Sequence, residues 1–229
     1  MNALLDVVNV DFIRRHHSRS SRDKAILKNV SLQLSQGERL ALLGSNGSGK
    51  TTLLRLLAGI LQPTKGTINR FGRVSAMIDP GFGMSDVLSP FENCRTRLIM
   101  DRTPKSEINQ ILEQVERFAD IGEHFQRPMN VLSSGMWARV SFALMTSVPH
   151  EILLIDEGFG LADNNFREKA SIRLGELYRG VDALILASHD NVLLRQLCQH
   201  GIVLQNQAVA FAGPIDTAID FHTDCVDPS

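Results

Sequence analysis

The segment "GSNGSGKT", Gly44 to Thr51, separates two glycines by four residues and follows the second with Lys50 and Thr51. This is the spacing G-x-x-x-x-G-K-[ST] of a phosphate-binding loop. Gly44, Ser45, Asn46, Gly47, Ser48 and Gly49 would turn backbone N–H groups inward around a β-phosphate. The dipole and free amides of a helix continuing through Thr52 favour the same anion. Lys50 would reach the β- and γ-phosphates, and Thr51 offers a hydroxyl to Mg²⁺. A buried strand, "RLALLG", precedes the loop and an apolar-faced helix, "GKTTLLRLLAGIL", follows it, the flanks that such a loop requires. The segment reads as a nucleotide site for ATP and Mg²⁺.

Three further stretches belong to the same chemistry. "ILLIDE", Ile152 to Glu157, ends an apolar strand in two carboxylates. Asp156 would hold Mg²⁺, usually through water, and Glu157 would polarise an attacking water as a general base. A strand ending in Asp-Glu is common by itself; the phosphate loop in the same chain turns the pair towards hydrolysis rather than kinase chemistry. "LILASHD" puts His189 just past another buried strand, where it would bond the γ-phosphate and help to position the water. "LSSGM", Leu132, Ser133, Ser134, Gly135 and Met136, opens an amphipathic helix that begins a second Ser/Gly loop. Read alone, that stretch is an ordinary helix cap.

These residues need a scaffold that delivers strand ends to one crevice. "LLDVVNVDF" alternates as an edge strand, "AILKNVSLQL" alternates again, and Gln36-Gly37 turns the chain into the strand before the loop. "GTINRFG" and "RVSAMI" are short β pieces. From Ser85 to Glu123, "SPFENCRTRLIMDR" and "PKSEINQILEQVERFADIG" are helical in period, the second stopped at Gly122. "EILLIDE", "ALILASH" and "GIVLQNQAVAFAG" then read as buried strands, with a helix through "NFREKASIRLGELYRG". The pattern predicts an α/β fold with a mostly parallel sheet flanked by helices. Residues 1–84 and 124–229 would form one α/β core, interrupted by a helical subdomain over 85–123, with the "LSSGM" helix following.

Composition sets bounds. The 229 residues carry a formal net charge of -1, so no global charge argues for nucleic acid or lipid. Cys94, Cys198 and Cys225 are scattered without metal-ligand spacing, which suits reduced thiols in a cytosolic setting. "MNALLDVVNV" lacks a cationic lead and a cleavage site, and no stretch reaches the ~18 apolar residues that span a bilayer. Any transport role would need separate membrane partners.

"GSNGSGKT", "LSSGM", "ILLIDE", "LADNNF" and "SHD" resemble, in order and spacing, the motifs of the ATP-binding-cassette ATPases, a P-loop NTPase fold with an N-terminal antiparallel β lobe. The resemblance implies that Ser133 and the backbone of Gly135 bind the γ-phosphate held by the P-loop of a sister subunit. One chain has one copy of each loop, so the working unit would be a homodimer. Asp163, six residues after Glu157, would cross the dimer seam and can also cap the helix that follows. Phe12 is the aromatic nearest the family's adenine-stacking position, with hairpin packing as the other reading. The basic loop from Arg14 to Lys24 reads as a solvated hairpin end, and Trp137 as packing on the signature helix. The family's glutamine before the helical insertion is missing from "SAMIDPGFGMSDVLSPFENC". Asp79 is the nearest polar candidate for the metal, or a turn residue before Pro80.

"VSAMIDPGFGMSDVLSPFEN", "LSSGMWARVSFAL" and "IDEGFGLADNNFREKA" are similar to stretches in cassette ATPases that export bacterial surface polysaccharides. The double serine followed by Met and an aromatic is the most diagnostic piece. The resemblance implies a subunit at the cytoplasmic side of the bacterial inner membrane that energises export of lipid-linked O-antigen, capsule or teichoic-acid chains, beside a polytopic permease dimer. Only residues 190–229 follow His189, so no glycan-binding module is expected here. A cassette ATPase for another cargo, such as a lipid or drug, is the alternative. A soluble member acting on DNA would carry a long coiled coil, and one acting on ribosomes two joined cassettes; no nucleic-acid partner is expected.

Overall fold

Alternating apolar residues give the first two strands one buried and one wet face, and they pair. In the computed structural model, which describes residues 2–14, 23–78, 83–148, 150–156 and 164–226, β1 (Ala3–Arg14) and β2 (Lys24–Ser35) are antiparallel. Val7 faces Leu32 and Val10 faces Val30. A third strand, β4 (Lys65–Arg70), adds to the other side of β1, so the sheet order is β2-β1-β4. β1 is therefore the central strand, not the edge strand that its alternation suggested. The partner that covers its second edge lies far along the chain and leaves no mark on the local pattern. Of the basic loop from Arg14 to Lys24, residues 15–22 lie outside the described residues.

The second sheet has the order β5-β6-β7-β3-β8-β9. Its strands are β3 (Arg39–Leu43), β5 (Val74–Met77), β6 (Ile152–Asp156), β7 (Ala183–Ala187), β8 (His200–Gln205) and β9 (Ala208–Pro214). All neighbours are parallel except β8 and β9. The interior strands β3, β6 and β7 are nearly continuous runs of buried Leu, Ile and Ala, as a sheet covered on both faces requires. "GIVLQNQAVAFAG" is not one strand but a hairpin. Asn206 and Gln207 both adopt left-handed φ, 50° and 72°, the twist that a two-residue hairpin turn needs.

These strands belong to one compact unit, Met1–Ile78 with His150–Glu157 and Val181–Ser229. It also holds α1 (Lys50–Leu57), α6 (Asn191–Leu197) and α7 (Ile215–Val226). Helix α1 buries Leu53, Leu54, Leu56 and Leu57 in a core shared with Leu5, Val10, Leu27, Leu42 and Leu154.

The other unit, Asp79–Pro149 with Gly158–Gly180, is helical and wider than the 85–123 span expected for the insertion. It contains α2 (Pro90–Met100), α3 (Lys105–Ala119), α4 (Ser134–Met145) and α5 (Asn164–Gly180). The widening follows from packing. Val140, Ala143 and Leu144 of α4 join Cys94, Leu98, Ile111, Leu112 and Val115 in one core. Phe118 and Phe142 stack at 5.8 Å, and Phe166 of α5 meets both edge-on. Lys169 and Arg173 lie over the Phe118 ring, and Arg139 over Phe166. Helix α2 starts at a capping box, in which Ser89 Oγ accepts from Glu92 N and Glu92 accepts from Ser89 N. Those bonds from Ser89 hold the Glu92 carboxyl below its ordinary range. Helix α3 stops at Ala119, three residues before Gly122, because Asp120 takes the left-handed cap at φ 51°.

Cys94, Cys198 and Cys225 are free, and burial pushes the Cys94 and Cys198 thiols up to about 12. No helix among the described residues is long and apolar enough to cross a membrane.

Asn93 is the polar residue that the sequence reading passed over. It is 4% exposed inside the helical unit. Its side-chain carbonyl accepts from Ser85 N at 2.7 Å, and its amide donates to the carbonyls of Ser85, Ser89 and Leu88. One side chain thus satisfies the loop that leads into α2. Replacing Asn93 by Ala should strand those groups and lower stability by about 2–3 kcal/mol, read as a drop in the urea midpoint. A change below experimental error would remove this role.

Candidate nucleotide site

The loop between β3 and α1 is shaped by close packing rather than by its own sequence alone. Gly44 has φ 148°, and a methyl there would lie 2.6 Å from the Leu204 carbonyl oxygen and from Ser48 Oγ. Gly49 has φ 108° at the helix start, where a methyl would meet Leu27 at 2.8 Å. Both positions demand glycine twice over, for conformation and for space. Gly47, also left-handed at φ 81°, has open space around it, and Ser45 and Asn46 are exposed beside it. Lys50 Nζ donates to the carbonyls of Gly44 and Ser45, so the loop closes around an ammonium.

Helix α1 begins without a side-chain cap and without an acid in its first turn. Its first amides, including those of Thr51 and Thr52, are the unsatisfied donors of a helix start, and the dipole there favours an anion. The opposite end is closed: Arg70 Nε donates to Leu57 O at 2.7 Å, and its guanidinium also donates to Leu56 O. Burial lowers the Arg70 pKa, but the charge still complements the helix carboxyl end. Ser48 Oγ is buried and has no partner among the described residues, a hydroxyl that a phosphate oxygen would satisfy. The cradle, the uncapped helix and this hydroxyl fit a bound phosphate chain.

Thr51 Oγ1 donates to Asp156 Oδ2 at 2.5 Å, within the range of a hydroxyl bonded to a carboxylate. This bond joins the first turn of α1 to the last residue of β6. Among the described residues no group of three or more His, Cys, Asp or Glu side chains could hold a metal. A Mg²⁺ ion at Thr51 and Asp156 would take its remaining oxygens from phosphate and water, its usual manner, and the donor pair fits that.

His189 follows β7 and is exposed. Its position is fixed by neighbours that the sequence reading did not weigh. Asp190 N donates to the buried Ser188 Oγ at 3.0 Å, and Asp190 Oδ1 caps α6 through Val192 N and Leu193 N. Loop 44–49, Asp156 and His189 therefore all stand at the carboxyl ends of parallel strands, where such sheets bind ligands.

Phe12 is half-buried and packs against the core, the contact that its hairpin-packing reading describes. It also borders a groove of about 620 Å³ with Arg14, Arg55 and Thr64. In the helical unit, Ser133 caps α4, its Oγ accepting from Met136 N at 3.2 Å. Leu132 and Met136 pack on that unit's core, Ser133 and Ser134 are exposed, and Trp137 Nε1 donates to Met129 O at 2.8 Å. Among the described residues a methyl on Gly135 would meet only Ser133 Oγ, at 3.9 Å. Glu157, Asp163 and Asp79 lie outside the described residues.

Comparison with known proteins agrees with this arrangement. Residues 27–160 match the family model described as ABC transporter. The chain is 38% identical over 185 residues to an O-antigen export system ATP-binding protein of Yersinia enterocolitica, covering 78% of this chain and 77% of the relative. It is 30% identical over 218 residues to the ATP-binding protein BexA of Haemophilus influenzae, covering 95% and 99%. It is 30% identical to a teichoic acids export ATP-binding protein of Shouchella clausii, covering 90% and 57%. A dimeric post-hydrolysis state of an ATP-binding cassette bound to ADP and Pi superposes with TM-score 0.72 at 21% identity, covering 92% and 98%.

The two glycine environments predict opposite stability effects. Gly44→Ala should cost about 1–3 kcal/mol, because backbone strain and the Leu204 carbonyl both resist it. Gly135→Ala should leave stability unchanged or raise it by up to about 1 kcal/mol through helix propensity. Thermal unfolding of both variants decides: equal losses would mean that the loop geometry is wrong.

Proposed function

The chain belongs to the ABC transporter family as one of its ATP-binding proteins, and on that premise we propose that it energises export of a lipid-linked surface polysaccharide. The path through the membrane would be a separate permease dimer, with this subunit peripheral on the cytoplasmic side. The observation that carries the reading is the assembly of P-loop, Thr51–Asp156 pair and His189 at one sheet edge, in a chain whose relatives are named for O-antigen and teichoic acid export.

The residues would act as follows. The backbone of Gly44 to Gly49 and the first amides of α1 hold the β- and γ-phosphates, with Lys50 bridging them. Mg²⁺ at Thr51 and Asp156 would neutralise developing charge. Glu157 takes a proton from water as its oxygen bonds to the γ-phosphorus. The bond from that phosphorus to the β,γ-bridging oxygen breaks, releasing ADP and inorganic phosphate. His189 orients the water and the γ-phosphate.

Half of the site comes from a second copy. Ser133 already accepts a bond from Met136 N, yet its hydroxyl proton can still be given to a phosphate oxygen. Among the described residues nothing requires Gly135 to be glycine, and the bare backbone there would serve a phosphate that approaches from a second copy. ATP held by one P-loop and by Ser133 and Gly135 of the other copy closes a homodimer with Asp163 at its seam. Loss of the γ-phosphate removes the charge-assisted bonds across it, and the pair reopens.

Glu157→Gln should lower steady-state ATP turnover by at least about 100-fold while an ATP-bound dimer accumulates in light scattering. Adding Gly135→Ala should abolish that dimer without loss of nucleotide binding to the monomer. Normal turnover in the first variant rejects Glu157 as the base, and full-speed hydrolysis by a monomer rejects the shared site. Deleting the gene in its native host should trap polymer inside the cell; unchanged surface glycan would sink the export role.

A further inference from the structure

Helix α7 has an inner face that the motif reading did not touch. Ile215, Ala218 and Ile219 are buried, and the helical spacing carries that face on to His222. The contacts of α7 advance along β8 as the helix advances. Ile215 N donates to Gln199 O just before the strand. A methyl on Gly201 would meet Ala218, Leu43 and Ile215, so helix and strand are flush at that point. Near the helix end, Cys225 Sγ reaches Oε1 of Gln205, the last residue of β8, at 3.7 Å. Phe211 and Phe221 stack at 5.3 Å and fix α7 to β9.

Helix α7 therefore climbs β8 towards its carboxyl end. Gly44 packs on Leu204 at that same end, and β3 and β8 are neighbours whose carboxyl ends rise together. About two turns of helix thus deliver His222 to the level of the P-loop.

We infer that His222 is a positioning residue for the terminal-phosphate end of the site, set by α7 beside Lys50 and His189 and acting through them. This rests on the nucleotide reading of the P-loop. The imidazole is half-buried, and the charged groups that bear on it are Lys50, at the start of α1, and His189, after β7. Burial, then Lys50, then His189 lower its pKa, which favours the neutral ring. A neutral ring has one acceptor and one donor nitrogen. Beside basic groups such an acceptor can take a hydrogen bond and so fix where the donor points without adding a further positive charge.

The test uses the full chain with two replacements, His222→Leu and His222→Gln. Leucine keeps bulk and removes both hydrogen-bonding functions; glutamine keeps a donor and an acceptor. His222→Leu should lower kcat for ATP roughly tenfold with KM within about twofold, the loss expected when reacting groups are slightly misplaced. His222→Gln should restore at least half of the wild-type rate, and both variants should melt within a degree or so of wild type. Wild-type rates in both variants, or equal losses in both that track a lowered Tm, overturn the proposal. Lys50→Ala separates the two levels of inference. If it leaves ATP binding unaffected, the nucleotide reading fails and this proposal falls with it. If binding is lost while the His222 variants behave as wild type, only the role of His222 is rejected.

Discussion

A helix that starts at a left-handed glycine, with no side-chain cap and no acid in its first turn, has no side chain of its own to answer its opening amides. In α1 that deficit is built in. Gly49 is pressed against Leu27 and Gly44 against the Leu204 carbonyl, so the loop between them cannot relax into a shape that would satisfy those donors from within. The opposite end of the same helix is closed by Arg70. The dipole is therefore answered at one end only, and an anion is the natural complement at the other. The Thr51–Asp156 bond then ties this helix start to a neighbouring strand end, so whatever the cradle holds is held in register with β6.

The second Ser/Gly loop follows a different rule. Ser133 caps α4, so the first turn of that helix is already partly satisfied within its own unit. What remains is a hydroxyl proton, an exposed Ser134, and a glycine whose missing side chain no neighbour among the described residues requires. The glycines of the P-loop are explained by the fold, whereas Gly135 is not. That asymmetry is what the proposed divided site requires: one half shaped by its own packing, the other left open to a second copy.

The residues legible in the sequence were those whose meaning is local. The P-loop lies between a buried strand and an apolar-faced helix, and its spacing is set by the phosphate that it would surround. "ILLIDE" and "SHD" declare strand ends. Long-range pairing was less visible: β1 reads as an edge because nothing in its alternation reports β4 on its other side. The β8–β9 hairpin was missed because Asn206-Gln207 lacks the glycine that usually marks such turns. Asp120 ended α3 before Gly122 for a related reason, since a left-handed aspartate can do a glycine's work. Asn93 and His222 carry no motif at all. Their importance comes from what α2 and α7 lay beside them, which periodicity hints at and only packing settles.

The helical unit has its own core, in which Phe118 stacks on Phe142 and Phe166 meets both edge-on, under Arg139, Lys169 and Arg173. It is not a loose excursion of the α/β unit. Two of the connections that join these units in sequence carry the residues with the sharpest proposed chemistry. β6 ends at Asp156 in one unit and α5 begins at Asn164 in the other, with Glu157 and Asp163 between them. β5 ends at Met77 and α2 begins at Pro90, with Asp79 between them. Under the proposed reading the base, Glu157, comes straight after the metal-holding Asp156 in the sequence, and the connection it opens runs on to the start of α5.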